Sequence, residues 1–165
     1  MQLRKFVFQT DFDKIKEWIG DERMHAMWCA NLIQYPLNQG NMEQVLSYAA
    51  DTFGDVPFVA TTDDGEVVGF FSYSLNEDKK EGMLKFVMVD PACRGKGVAC
   101  EMLRLAVLHA FENPLADAIS LNVFSENIRA KKCYEKVGFE ERNTTPNAFI
   151  FQNESWGRCN MILRK

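Results

Sequence analysis

Apolar residues recur along the chain with two different periods. Leu3, Phe6 and Phe8 suit a first strand. Phe12, Ile15, Trp18 and Ile19 then repeat at helical spacing, with Thr10 or Asp11 placed to cap the helix. Met24, Met27, Trp28, Tyr35, Pro36 and Gly40 fall in a stretch read as loop-rich, and Met42, Val45, Leu46 and Ala49 mark another amphipathic helix. From residue 58 the period shortens. Phe58–Thr61 and Val67–Tyr73 flank a turn at Asp63-Asp64-Gly65, the pattern of an antiparallel hairpin. Asn76–Gly82 is charged and turn-like, and Met83–Val89 is almost continuously apolar, as for a strand buried on both faces.

Ala99, Met102, Leu103, Ala106 and Ala110 form a helical stripe that Asn113-Pro114 stops. Ile119, Leu121 and Val123 alternate as a strand. Ala130, Cys133, Tyr134 and Val137 then share one helix face, closed by Gly138. Ala148–Phe151 and Cys159–Leu163 read as a closing hairpin turned near Asn153-Glu154-Ser155. With no repeat, linker or low-complexity tract between them, these segments predict one mixed α/β domain over residues 1–165.

Composition narrows the class. With 47% apolar and 25% charged residues, collagen-like, disordered and disulfide-scaffold proteins are excluded. A formal charge of −4 argues against a nucleic-acid partner bound through overall charge. No apolar run approaches the ~20 residues of a membrane span. The five cysteines are irregularly spaced without a C-x-x-C pair, and His25 and His109 lie far apart, so no metal site is expected. Met1–Phe6 lacks the apolar stretch of a secretory signal. A reduced, cytoplasmic protein is the expectation.

Two segments carry chemistry. Val89-Asp90-Pro91-Ala92-Cys93-Arg94-Gly95-Lys96-Gly97-Val98-Ala99 joins a strand to a long helix. The first helical turn has main-chain N–H groups without intrahelical partners, and their partial positive charge makes an anion site. Gly95 and Gly97 allow close approach and unusual backbone angles, while Arg94 and Lys96 add charge at the rim. The spacing matches neither G-x-x-x-x-G-K-[ST] nor G-x-G-x-x-G, because Cys100 stands where the latter needs glycine. As a plain turn, the same segment would need only its two glycines. In the second segment Asn127 sits where a strand gives way to a helix, and Tyr134 lies two turns further on, a core aromatic if nothing binds nearby.

Taken together the segments resemble the GNAT superfamily of acyl-CoA-dependent N-acetyltransferases. Arg94-Gly95-Lys96-Gly97-Val98-Ala99 is similar to its R/Q-x-x-G-x-G/A loop. Asn127, Ala130, Tyr134, Gly138 and Phe139 match N-x-x-A-x-x-x-Y-x-x-x-G-F. The resemblance implies a mixed, mostly antiparallel sheet flanked by helices, with strands near 83–89 and 119–124 splayed to admit acetyl-CoA. Pantetheine would pair with main chain around Val87, Met88 and Val89. The diphosphate would rest on Gly95, Lys96, Gly97, Val98, Ala99 and Cys100, and Asn127 would face the cofactor. The Tyr134 hydroxyl would lie near sulfur as general acid to the leaving thiolate, whose solution pKa is near ~8.5.

The implied partners are acetyl-CoA and a primary amine, with no metal; a second copy of the chain is a further candidate. The chain departs from many relatives at the general base: Met83–Phe86 offers no carboxylate and Asn122 is an amide. Glu81, Glu126 and His25 are the candidates, beside a water relay. Trp28, Tyr35, Phe149 and Trp156 are nominated to line the acceptor groove. The alternative function is a non-catalytic acyl-CoA-binding sensor of the same fold.

Overall fold

The structure, a computed structural model, describes residues 1–165. In chain order the elements are β1 (Gln2–Lys5), α1 (Phe8–Glu17), α2 (Glu22–Cys29), α3 (Gln39–Phe53), β2 (Val56–Thr61), β3 (Val67–Asn76) and β4 (Glu81–Val89). A short turn of 3-10 helix at Pro91–Cys93 leads to α4 (Val98–Glu112), β5 (Ala118–Phe124), α5 (Ile128–Val137), β6 (Glu140–Phe151) and β7 (Glu154–Arg164). The strands form one seven-stranded sheet in the order β1-β2-β3-β4-β5-β7-β6. Only β4 and β5 run parallel, with α4 as their crossover.

The sheet separates two cores. On one face Met102, Leu103, Ala106 and Ala110 of α4 pack with Tyr134 of α5 against Val68, Phe71, Leu84, Ile119, Leu121 and Met161. On the other, Phe12, Ile15, Trp18, Met42 and Leu46 cover Val59, Phe70, Phe86 and Met88. Each large aliphatic or phenylalanine side chain among them contributes about 1.5–3 kcal/mol when fully buried. Gly69 lets α4 lie close to β3, since a Cβ there would collide with the Met102 sulfur. No helix is long and apolar enough to cross a membrane.

Four local expectations change. The first strand ends at Lys5, so Phe6 and Phe8 lie outside it and Phe8 opens α1. The first helix begins at Phe8 with Val7 as its uncapped N-terminus, so neither Thr10 nor Asp11 is the cap. Asp11 instead accepts the Val7 N–H at 2.8 Å from inside the helix and receives both Arg4 guanidinium nitrogens at 2.7 and 2.8 Å. The expected loop after residue 20 contains α2, whose N-cap Asp21 accepts the Met24 N–H at 2.7 Å. Finally, β4 is not buried on both faces, because Glu81, Met83, Lys85, Val87 and Val89 are only half-buried.

That last departure opens the sheet. β4 pairs with β5 only from Glu81–Ala118 to Leu84–Leu121. Just beyond, Phe86 takes φ +53 and the register against β3 slips between Phe70 and Ser72, a β-bulge. The bulge reverses the alternation of the strand: Leu84 belongs to the α4 core, Phe86 and Met88 to the opposite one. A bulky residue at positive φ costs on the order of 1–2 kcal/mol. The buried Phe86 ring and the Trp28 indole N–H, which donates to the Phe86 carbonyl at 2.8 Å, hold it there. Past the bulge β4 and β5 diverge, and the β5-facing edge of Val87–Val89 is left without a strand partner.

Candidate functional site

The fork between β4 and β5 opens into a cavity of about 1840 Å³. Single ligands commonly fill about 300–1,000 Å³, so the space suits two molecules at once. One end is formed by the segment entering α4. Asp90 ends β4, and its carboxylate accepts the Ala92 N–H at 2.8 Å. Gly95 and Gly97 both adopt left-handed angles, φ +82 and +83, and Gly97 is the N-cap of α4 with no side-chain cap. The first helical N–H with an acceptor is that of Glu101, bonded to the Gly97 carbonyl at 3.0 Å. The N–H groups of Gly95, Gly97, Val98, Ala99 and Cys100 have no acceptor in the chain. A Cβ on Gly97 would meet nothing within 4 Å, so packing does not explain that glycine. Conformation and open space do.

Around this cradle the side chains are basic. Arg94 lines the cavity with Arg129, Lys132 and Lys136 of α5, and an Arg129 guanidinium nitrogen stands 3.9 Å from the Cβ position of Gly95. Sequence reasoning missed the α5 cations, although their i, i+3, i+7 spacing marked one helix face. Lys96 is exposed and does not line the cavity. Asn127 lines it, but its side-chain oxygen is engaged as the α5 cap, accepting the Ala130 N–H at 3.2 Å. Tyr134 lines the space from α5 and is 6% exposed; burial raises its hydroxyl above the ordinary phenol range, so it stays protonated.

Beyond the fork the wall is made of side chains. α3 supplies Val45, Tyr48 and Phe53, the end of β3 supplies Asn76, the β3–β4 turn supplies Glu77 and Asp78, and β5 supplies Asn122. Lys85 on β4 is held at 2.7 Å by buried Asp55 and lies 4.5 Å from the centre of the Phe53 ring. Glu81 accepts both Arg142 terminal nitrogens, at 2.7 and 2.9 Å, and the Ser120 hydroxyl at 2.6 Å. The Arg142 pairing holds its carboxyl below the usual glutamate range, which leaves it a poor proton acceptor near neutral pH.

The other nominated side chains are scattered by the fold. His25 is fully buried between Trp28 and Tyr35 outside the cavity wall, and burial lowers its pKa. Glu126 is exposed and off the wall. Trp28 does line the cavity; Tyr35 does not. Phe149 and Trp156 pack with Phe124 and Phe151 in a small separate core, where the fully buried Trp156 donates to Glu154 at 2.9 Å. A place in the last hairpin suggests the acceptor groove for Trp156. The alternation of β7 turns it inward instead.

Comparison with known proteins agrees with this architecture. The sequence model of the Acetyltransferase (GNAT) family matches residues 12–139. An L-amino acid N-acetyltransferase of Escherichia coli (strain K12) is 30% identical over 135 residues, 78% of this chain and 80% of that protein. A spermine/spermidine N(1)-acetyltransferase of Bacillus subtilis (strain 168) is 34% identical over 83 residues, 47% of this chain. That match spans only 55% of the relative's length. Among solved structures, spermidine N-acetyltransferase from Vibrio cholerae in complex with CoA and spermine superposes with a TM-score of 0.81 at 19% identity. It covers 99% of this chain and 94% of that one.

Proposed function

The chain belongs to the acetyltransferase (GNAT) family, and from that premise we propose that it transfers an acetyl group from acetyl-CoA directly to a primary amine. One observation carries the reading. The unpaired N–H groups of Gly95, Gly97, Val98, Ala99 and Cys100 open onto a cavity that Tyr134 and the β4–β5 fork also line, while the Lys96 N–H is bonded to the Cys93 carbonyl. The diphosphate of acetyl-CoA sits on those N–H groups, each hydrogen bond to a charged oxygen contributing on the order of 1.5–3 kcal/mol. Arg94 and Arg129 add charge, and Lys132 and Lys136 face the nucleotide's remaining phosphate. Pantetheine lies along the free edge of Val87–Val89, as an added strand.

This route brings the thioester to the fork beside Tyr134. A main-chain N–H of the splayed strand stabilises the tetrahedral oxyanion. The Tyr134 hydroxyl, kept protonated by its burial, donates to the departing thiolate. Cys133, next in sequence, is no acyl carrier, because its thiol faces Cys100 and burial raises its pKa. Nitrogen loses its proton to water, since Glu81 is tied to Arg142 and His25 is sealed off. The acceptor is a cationic amine: Glu77 and Asp78 give the far end negative charge, beside the apolar rings of Tyr48 and Phe53.

Thiol release from acetyl-CoA across a panel of polyamines, amino acids and peptide amines tests this. Turnover with at least one cationic amine is expected. Tight acetyl-CoA binding with no turnover on any amine would favour the sensor, and no binding at millimolar concentration would reject both.

A further inference from the structure

Behind the cradle two thiols meet. Cys100 lies in the first turn of α4 and Cys133 on α5, and their Sγ atoms are 2.8 Å apart. Cys100 Sγ also lies 3.9 Å from the Cys133 carbonyl. Both cysteines are free, half-buried and part of the cavity wall. A disulfide bond is ~2.0 Å long, so the pair needs under ~1 Å of closure. The other cysteines differ: Cys29 and Cys159 are buried, and Cys93 reaches the cavity without a thiol neighbour.

We propose that Cys100 and Cys133 form a reversible disulfide in the cofactor-free protein, by exchange with an anionic low-molecular-weight disulfide that enters through the cavity. The charge around the pair suits such a reagent, since Arg129, Lys132 and Lys136 line the approach. Burial and the neighbouring Cys100 raise the Cys133 thiol, so Cys100 attacks first. The Cys100 sulfur bonds to one sulfur of the reagent and expels the other as a thiolate. Cys133 then loses its proton, attacks the Cys100 sulfur and expels the second reagent thiolate. Two cysteine thiols are oxidised, one reagent disulfide is reduced to two thiols, and no other oxidant is needed.

The bond ties the first turn of α4 to α5 and closes the chain between residues 100 and 133. A loop of that length raises Tm by roughly 8–15 °C. Because Cys100 also offers a main-chain N–H to the cradle, acetyl-CoA on that cradle covers the approach to both sulfurs. Modification and cofactor binding therefore compete.

The experiment incubates the full chain with excess glutathione disulfide, with and without saturating acetyl-CoA. Expected are the loss of two hydrogen atoms from the intact mass, a peptide linking Cys100 to Cys133, the rise in Tm, and reversal by dithiothreitol. Cys133→Ser should instead keep a glutathione adduct on Cys100 and show no such rise. Acetyl-CoA should slow the reaction in proportion to the fraction of protein it occupies. A stable glutathione adduct on the wild-type chain, a link through Cys93, or an unchanged Tm after linkage would overturn the proposal. Equal rates with bound acetyl-CoA would overturn the entry route. Failure of acetyl-CoA to bind, read separately by calorimetry, counts against the acetyl-transfer reading and leaves the disulfide standing.

Discussion

At the α4 end the cavity wall is main chain: unpaired N–H groups, two glycines at positive φ, and a ring of cations. At the far end it is side chains brought from α3, the β3–β4 turn and β5. The two ends therefore depend on sequence in different ways. A backbone cradle needs particular residues only where a Cβ or a φ angle would spoil it, so a short motif specifies it. A side-chain wall can be rebuilt with every exchange of a residue on any of its elements. The first end suits a cosubstrate held constant, the second an acceptor that differs among relatives.

Gly97→Glu breaks the first end most severely. It puts a bulky anion where the diphosphate would sit and forces a non-glycine residue to φ +83. Losing two charged hydrogen bonds predicts roughly a thousandfold weaker acetyl-CoA binding by calorimetry. Circular dichroism should stay native, since nothing lies within 4 Å of the new Cβ. Retained affinity would move the diphosphate elsewhere and dissolve the contrast.

Tyr134→Phe probes the point where the ends meet. If the hydroxyl serves the thiolate, turnover should fall roughly a hundredfold, with acetyl-CoA affinity nearly unchanged. An unchanged rate would return Tyr134 to the α4 core, which already holds its ring.

The same division explains what could be read from the chain. Most helices and strands followed from period, and the cradle followed from its glycines because backbone chemistry is local. The bulge at Phe86 left no such sign. No glycine or asparagine marks that positive φ; it is imposed by Trp28, 58 residues away in sequence, and by the core around it. Helix α2 is hard to read from the chain because its eight residues are few for a periodic stripe, though Asp21 and Glu22 are a legible start signal. Glu81 was legible as a carboxylate near the fork, but its partner Arg142 lies on β6, and only the register of β6 on β7 brings the two together. Aromatic residues were the least informative. Trp28, in an apolar-rich segment, lines the cavity, while Trp156, flanked by Glu154, Ser155 and Arg158, lies in a separate core.

Arg142→Leu asks whether the far wall is as preformed as the near one. Arg142 ties Glu81 to Asn160, which in turn donates to Asn122 at 2.9 Å. The Glu81 carboxyl is lowered in the folded protein, so the pair's contribution is complete above the unfolded glutamate pKa of ~4.3 and is lost as pH falls through the lower folded value. The substitution should cost about 1 kcal/mol in urea unfolding at pH 7. The gap between variant and wild type should narrow as the pH drops through and below the ordinary glutamate value. A pH-independent gap would mean that lost packing, rather than charge, sets the cost.

The smallest effect belongs to the charges on the rim. Glu77 and Asp78 lie in the exposed β3–β4 turn, where solvent and salt screen them. Neutralising both, Glu77→Gln with Asp78→Asn, should raise KM for a polycationic acceptor by about threefold at low salt and less at high salt, with kcat and the KM for acetyl-CoA unchanged. The sign of this change distinguishes kinds of acceptor, because an anionic or zwitterionic amine would be helped by the same substitutions. A fall in KM for polyamines would show that the carboxylates do not face the acceptor. The far end would then be defined by Tyr48, Phe53 and the Lys85–Asp55 pair, a wall selecting by shape rather than charge.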